Sequence, residues 1–383
     1  MTIPGITATS AKRDARAEAL LTAFERAGYL PVAPAILQPA EPFLDLSGED
    51  IRMRMYLTTD PRGRELCLRP DLTIPVSCDY LASSSAGKPQ GFCYLGPVFR
   101  YREEGPGEFL QAGIESFGRT DTAAADAEML ALGLDATSHY GLAAPDIRIG
   151  DVALFSALIA ALDLAPAWKR RLIKDFNHKT SLAHDLDRLT VGGSNARPEY
   201  QGVLAALAGA DPKGAHALVT DLLSIAGITA VGGRSVSEIA DHFLEQAALG
   251  AQASLPRQTR AVIEQFLAIA GDPESAAAKL SAFARDANIA LAPALELFES
   301  RIRRLAARGV ALPRIHFSTA FGRGLDYYTG FVFELHDPRG QTDGPLVAGG
   351  RYDQLLTRLG STRAISAVGF AVWIERLAAR SAP

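Results

Sequence analysis

The sequence predicts an α+β fold, in which an antiparallel sheet is flanked by helices and interrupted by a mainly helical insertion. Three observations carry that prediction. Residues 51–118 and 314–337 have the texture of strands joined by short turns. Residues from about 164 to 301 are rich in Ala and Leu and carry little strand signal. The strands do not alternate with helices in βαβ units, and no GxGxxG or Walker A pattern occurs, so the order does not describe a doubly wound nucleotide-binding sheet.

Taken in order, residues 10–28 place apolar side chains at helical spacing, with Ser10 as N-cap and Gly28 as stop. The proline-broken stretch from 29 to 50 reads as short extended pieces and loop. Within 51–118, turns at Asp60-Pro61-Arg62-Gly63 and around Glu103–Gly107 join antiparallel hairpins. Thr120 or Asp121 caps a helix running towards Gly141, "DIRIG" is a strand, and another helix lies near 152–163. Four helical stretches follow, "APAWKRRLIKDF", "AGADPKGAHALVTDLLSIAG", "SVSEIADHFLEQAALGAQ" and "PALELFESRIRRLAARG". Strand texture then returns, with a turn at Asp337-Pro338-Arg339-Gly340 and helices around 351–359 and 371–380. The chain thus divides into 1–163, 164–302 and 303–383, the first and last forming one core. Its 383 residues exceed the roughly 250–300 at which a single core stops growing, and two domains or one with a large insertion both satisfy that length.

A formal net charge of −4 argues against general nucleic-acid binding, which needs a surplus of Lys and Arg. Cys67, Cys78 and Cys93 are odd in number and lack CxxC spacing, and no signal peptide precedes them, so reduced thiols in a cytoplasmic protein are expected. No apolar run approaches the roughly 20 residues of a membrane helix. The seven histidines show no HExxH and no paired Cys/His spacing, so no metal site is expected.

Residues two apart share a strand face, which in "EFLQAGIESFG" puts Gln111, Gly113 and Glu115 on one side and Ala112, Ile114 and Ser116 on the other. The first set reads either as a solvent-facing strand or as an open polar floor. Arg100 and Arg102 share a face of the preceding strand, within expected cross-strand reach of Gln111 and Glu115, as a surface ion pair or as a fork for a ligand carboxylate. In "GRGLDYYTGFVFE", Gly322, Gly324 and Gly330 let backbone approach a ligand, Arg323 supplies charge and Tyr328 an aromatic wall with a hydroxyl. A bulged strand with Tyr327 and Tyr328 in the core satisfies the same pattern. "AGGRYDQLL" adds Gly349, Gly350 and Tyr352, and "SAVGFAVWIERL" reads as a glycine-started apolar helix ending in Glu375-Arg376.

Together these motifs resemble the catalytic core of histidyl-tRNA synthetase, a class II aminoacyl-tRNA synthetase. "RPDLT" stands where that family has Arg-Pro-Glu-Gly-Thr, "VFRY…EFLQAGIESFG" is similar to motif 2 and "AVGFAVWIERL" to motif 3. "RGLDYYTG" and "GGRYDQL" resemble the two histidine-specific signatures. The resemblance covers residues 1 to about 163 and 303–383. It implies a class II synthetase-like sheet with histidine on its face, Asp71 and Thr73 at the amino group, and Arg100 at the carboxylate or an adenylate phosphate. Gln111 and Glu115 would meet the amino and polar end, Arg323, Tyr328 and Tyr352 would enclose the carboxylate and imidazole, and Arg376 would be a vestige of an ATP site.

Three departures bear on function. The motif 2 hairpin is joined by the short, acidic "EEGPGE", and Asp71-Leu72 replaces the usual Glu-Gly. Only six residues follow Leu377, where the synthetases continue for roughly another domain of about 100 residues to bind the anticodon. A core of this kind resembles the synthetase-like regulatory subunits that partner a short-form ATP phosphoribosyltransferase catalytic subunit in the first step of histidine biosynthesis. The resemblance implies a non-catalytic L-histidine sensor, homodimeric through residues within 1–80 inside a hetero-oligomer, without cofactor, metal, tRNA or membrane partner. The alternatives are a truncated histidine-activating enzyme and an assembly scaffold with a vestigial pocket.

Overall fold

The computed structural model describes residues 15–177, 179–191, 212–225, 230–231, 234–235 and 257–380. The expected cap at Ser10 lies outside them, as does the helix expected over 235–252 apart from Ser235, which ends a short strand. The chain forms two compact units, Met1–Ala153 with Ala270–Ser281 and Ala292–Pro383, and Leu154–Ile269 with Ala282–Leu291.

Helix α1 (Ala15–Arg26) buries Ala17, Leu20 and Phe24, one face at helical spacing. Strands β1 (Leu30–Pro31) and β2 (Leu37–Pro39) follow. The next residues, expected to be extended, are instead helix α2 (Glu41–Leu46). Pro42 occupies its first turn, where a missing N–H is no loss, and Phe43 and Leu46 are buried. After α3 (Glu49–Arg52), β3 (Leu57–Thr59) and β4 (Glu65–Leu68) pair across the expected Asp60–Gly63 turn. They form a three-stranded sheet in the order β2-β4-β3.

Helix α4 (Thr73–Ala82) interrupts a stretch that reads as strand, because Pro75 lies in its first turn and its apolar residues are buried. The hairpin expected next is β5 (Gln90–Phe99) with β6 (Glu108–Phe117). Asp121 occupies the N-cap of α5 (Thr122–His139), but its carboxylate holds Arg119 instead of capping. Then come β7 (Asp146–Asp151), α6 (Val152–Ala161), α7 (Pro166–Asp175), α8 (Lys179–Val191), α9 (Pro212–Ile225), the short pair β8 (Ala230–Val231) and β9 (Arg234–Ser235), and α10 (Arg257–Leu267). The chain continues through β10 (Ala270–Gly271), α11 (Pro273–Asp286), α12 (Ala292–Ala307), β11 (Ile315–Ser318), β12 (Phe331–His336), β13 (Val347–Arg351), α13 (Leu355–Arg358), β14 (Ala367–Trp373) and α14 (Ile374–Arg380). The stretch "AVGFAVW", expected to be helical, is β14: a central strand covered on both faces carries a continuous apolar run without alternation.

Among the described residues, nine strands form the main sheet in the order β1-β5-β6-β14-β13-β12-β7-β11-β10. The pairs β1–β5 and β11–β7 are parallel and the others antiparallel. β10 and α12 lie partly or wholly inside the span 164–302, yet both belong to the first unit, where β10 extends the sheet edge against β11. One face of the sheet is apolar. There Phe370 of β14 meets Phe24 of α1 edge-on at 5.7 Å, and Gly133 of α5 lies against Phe333, Leu335 and Val347.

The same face carries a buried ion network. Arg301 of α12 donates to Asp126 at 2.9 Å and to Asp151 at 2.7 Å, and Arg351 at the end of β13 donates to the other oxygen of Asp126 at 2.8 Å. Arg351 also reaches Asp353 and Ser366, at 2.8 and 2.6 Å. Asp126 thus joins α5, α12 and β13 at one point. In the second unit, Phe155 stacks on Phe176 at 4.4 Å, Phe266 lies 6.2 Å from Phe155 and 5.8 Å from Phe283, and Arg171 bridges Asp175 and Asp185.

Removing Asp126 leaves two buried guanidiniums short of a counter-charge, a class of change that costs about 3–5 kcal/mol. Asp126→Ala is therefore expected to lower the urea midpoint by that equivalent, and a loss below about 1 kcal/mol would show that the network does not hold these elements together.

Candidate functional site

The opposite face of the same sheet is built for occupancy. β6 presents Gln111, Gly113 and Glu115 there, and the register sets Trp373, Ala371 and Gly369 of β14 against them. On β13, Ala348 faces Ala371 and Gly350 faces Gly369. Small residues across three central strands leave a depression, and a cavity of about 150 Å³ opens over it. By the usual requirement of a water site, that is room for on the order of ten waters or one small ring-bearing molecule. The described residues hold no cluster of His, Cys, Asp or Glu that would bind a metal ion.

Glu115 lies at the bottom, 1% exposed. Thr73 Oγ1 donates to its Oε1 at 2.7 Å, Tyr94 Oη approaches the same oxygen at 3.3 Å, and Tyr352 Oη donates to Oε2. A β-carbon at Gly369 would collide with Oε2, so the glycine is what lets the carboxylate lie flat on the floor. Burial pushes the Glu115 carboxyl up to about 8, against the pull of the hydroxyls of Thr73 and Tyr352. The open floor expected at Gly113 is not open, because the Tyr94 hydroxyl occupies the space a side chain would take. Tyr94 sits directly opposite Gly113 on β5 and could be found only by registering the hairpin.

Several polar groups around Glu115 face the cavity without a protein partner among the described residues. Asp71 Oδ1 accepts from the Ile74 N–H at 3.1 Å, while Oδ2 is buried and unpaired, and burial raises its pKa. Gln111, 2% exposed, makes no side-chain hydrogen bond among the described residues. The cross-strand position expected for Arg100 and Arg102 does not form, since the register places Gly96 opposite Gln111 and Phe92 opposite Glu115. β5 ends at Phe99, and Arg100 enters the cavity from beyond it, with Nε on the Pro70 carbonyl at 2.7 Å. Arg102 instead stacks on Phe109 at 4.1 Å, with Glu375 3.9 Å away.

Arg323 lines the wall, its Nε on Glu334 at 3.2 Å and its Nη1 donating to Tyr328 Oη at 2.5 Å. His336 contacts the other oxygen of Glu334 at 2.9 Å. Tyr327, Tyr328 and Tyr352 pack as a buried aromatic group that also lines the cavity; Tyr327 and Tyr328 precede β12 in a turn and do not form the bulged strand that the pattern also allows. Arg376 is not among the lining residues. It lies 5.1 Å over Trp373 and donates to the Pro345 carbonyl at 2.6 Å. Sequence reasoning also missed Asp50 and Arg54, which border the cavity from the α3 segment.

A family model described as histidyl-tRNA synthetase matches residues 6–232 and 214–377. An ATP phosphoribosyltransferase regulatory subunit of Mesorhizobium japonicum is 43% identical over 353 residues, covering 91% of this chain and 92% of its own. The chain belongs to this family of synthetase-like regulatory subunits. A Brucella canis protein of the same name is 41% identical over 90% of this chain and 91% of its own. Among solved structures, an ATP phosphoribosyltransferase regulatory subunit/histidyl-tRNA synthetase from Bacillus halodurans superimposes with a TM-score of 0.65 at 22% identity, over 96% of this chain and 78% of that one. The histidyl-tRNA synthetase of Nostoc gives 0.60 at 18%, over 96% and 70%. These two likenesses establish the fold, a class II aminoacyl-tRNA synthetase-like sheet.

An acid whose folded-state pKa lies above its unfolded value keeps its proton more tightly when folded. Stability is then full below the unfolded value of 4.5 and falls as pH rises towards about 8. Urea midpoints between pH 5 and 8 are expected to decline more steeply for the wild type than for Glu115→Gln, and parallel slopes would mean that Glu115 is not the buried acid described here.

Proposed function

We propose that this chain is a non-catalytic regulatory subunit that binds L-histidine in the Glu115 cavity. With a short-form ATP phosphoribosyltransferase catalytic subunit it serves the first step of histidine biosynthesis and its feedback inhibition. The observation that carries the reading is the set of groups left for a ligand. The unpaired Asp71 oxygen suits an ammonium, the terminal nitrogens of Arg100 suit a carboxylate, and Glu115 among tyrosines suits a polar ring. The regulatory-subunit names of the relatives support a phosphoribosyltransferase partner.

Adenylate chemistry has less support. Arg376 does not line the cavity and is engaged with the Pro345 carbonyl and the Trp373 ring, and the loop between β5 and β6 carries Glu103 and Glu104, which repel a triphosphate. In this reading the protein needs no cofactor, metal or tRNA and works in the cytoplasm; no described helix is long and apolar enough to cross a membrane. The exposed Leu37, Met53 and Leu57 lie on or beside the small sheet within residues 1–80, on its two edge strands and the turn before one of them, and we assign this region to a homodimer contact inside the hetero-oligomer.

Calorimetry is expected to show L-histidine binding that Glu115→Ala and Arg323→Ala each weaken by about 1–3 kcal/mol, the range for leaving a buried polar group without its partner. Wild-type affinity in both variants would place the ligand elsewhere. Light scattering at micromolar concentration should give a dimer with or without histidine, and a monomer would remove the interface assigned to residues 1–80.

A further inference from the structure

Two arginines stand at the mouth of the cavity, Arg54 from the turn after α3 and Arg100 from the end of β5. Their backbones are tied together. The Arg54 carbonyl accepts from the N–H of Tyr101 at 2.8 Å, and the Arg100 N–H reaches across the hairpin to the Gly107 carbonyl at 2.8 Å. The strand end that carries Arg100 inwards therefore also sets where Arg54 begins.

The two guanidiniums differ in what holds them. Arg100 is anchored through Nε alone, and its terminal nitrogens have no acceptor among the described residues. Arg54 is held by Asp50 of the preceding helix α3, through Nε to the backbone carbonyl at 3.1 Å and through Nη2 to the carboxylate. The two side chains of that pair are 36% and 66% exposed, so solvent screens it and its exchange for another anion costs little. Burial lowers the Arg100 pKa to about 10; the Asp71 carboxylate pulls it back up, and the nearby charge of Arg54 adds a smaller push downwards. An anion between two like charges relieves that repulsion.

We propose that Arg54 and Arg100 together form a carboxylate subsite at the cavity mouth, and that Asp50 is the partner Arg54 gives up to the ligand. The lining carries three arginines, Arg54, Arg100 and Arg323, against Asp50, Asp71 and Glu115. Arg323 is already paired with Glu334 at 3.2 Å, which leaves Arg54 and Arg100 as the lining arginines that can turn to a ligand carboxylate. A planar guanidinium pairs with a carboxylate through two parallel hydrogen bonds, whereas a phosphate dianion would add a charge that Asp50 and Asp71 oppose. The inference rests on the reading of the cavity as an amino-acid site and names what grips the ligand's acid end.

The test compares L-histidine with L-histidinol, which keeps the ring and the amine but replaces the carboxylate with a hydroxymethyl group, by calorimetry on the full chain. Wild type is expected to prefer L-histidine, and Arg54→Ala to weaken L-histidine about tenfold while leaving histidinol unchanged. Arg54→Lys should recover part of the loss, since it keeps the charge but not the fork. Equal losses for both ligands would show a structural role, and no loss would show no role; either overturns the subsite, as would inorganic phosphate competing better than acetate. If wild type binds neither ligand, the amino-acid reading itself fails and the subsite falls with it.

Discussion

The register that sets Glu115 against Gly369 is the constraint on which the rest of the molecule depends. A slip of one residue between β6 and β14 would turn Gln111 and Glu115 onto the face packed by α1 and α5 and swing Ile114 into the cavity. Two features hold the register. One is the apolar underside, where Phe370, Phe333 and Val347 fit only one way against Phe24 and Gly133. The other is Asp126, which grips Arg351 at the end of β13 and Arg301 on α12, while Arg351 reaches Ser366 just before β14 begins. The ion network on one face therefore fixes which residues the other face presents.

That presentation has an energetic cost. A carboxyl raised to about 8 and a second, half-satisfied carboxyl at Asp71 are expensive features for a sheet to bury, and groups perturbed by burial in a cleft are the usual mark of a working site. Glu115 lies among hydroxyls at the floor, Asp71 is left half-paired, and Arg54, Arg100 and Arg323 also line the cavity. A molecule with a cationic end, an anionic end and a ring that both donates and accepts hydrogen bonds meets each of these in turn, whereas an apolar molecule would leave Asp71 and Gln111 unpaired.

Much of this is legible in the sequence, and the exceptions have physical causes. The face shared by Gln111 and Glu115 follows from the period of two, and the hairpin turns from their glycines and prolines. Helices α2 and α4 were concealed because Pro42 and Pro75 suggest extended chain unless they are recognised as first-turn residues. β14 looked helical because a strand buried on both faces has no alternation to betray it. In the site, Arg323, Tyr328 and Tyr352 stand out by their glycine-rich settings. Tyr94 does not, since its role comes from the residue opposite, and Asp50 and Arg54 do not, since only the folded chain brings their segment to the cavity. Glu334 and His336, the side chains behind Arg323, are invisible for the same reason.

The central claim is that occupancy of this cavity is what a catalytic partner senses, which requires the ligand to bind two states of the complex with unequal affinity. The most direct measurement is the turnover of a reconstituted complex with a short-form ATP phosphoribosyltransferase, titrated with L-histidine for wild type and Glu115→Gln. The account predicts inhibition of roughly 5–150-fold at saturation in the wild type, with the midpoint shifted to higher histidine in the variant and uninhibited turnover nearly unchanged. An unaltered midpoint in Glu115→Gln, with turnover intact, would contradict it.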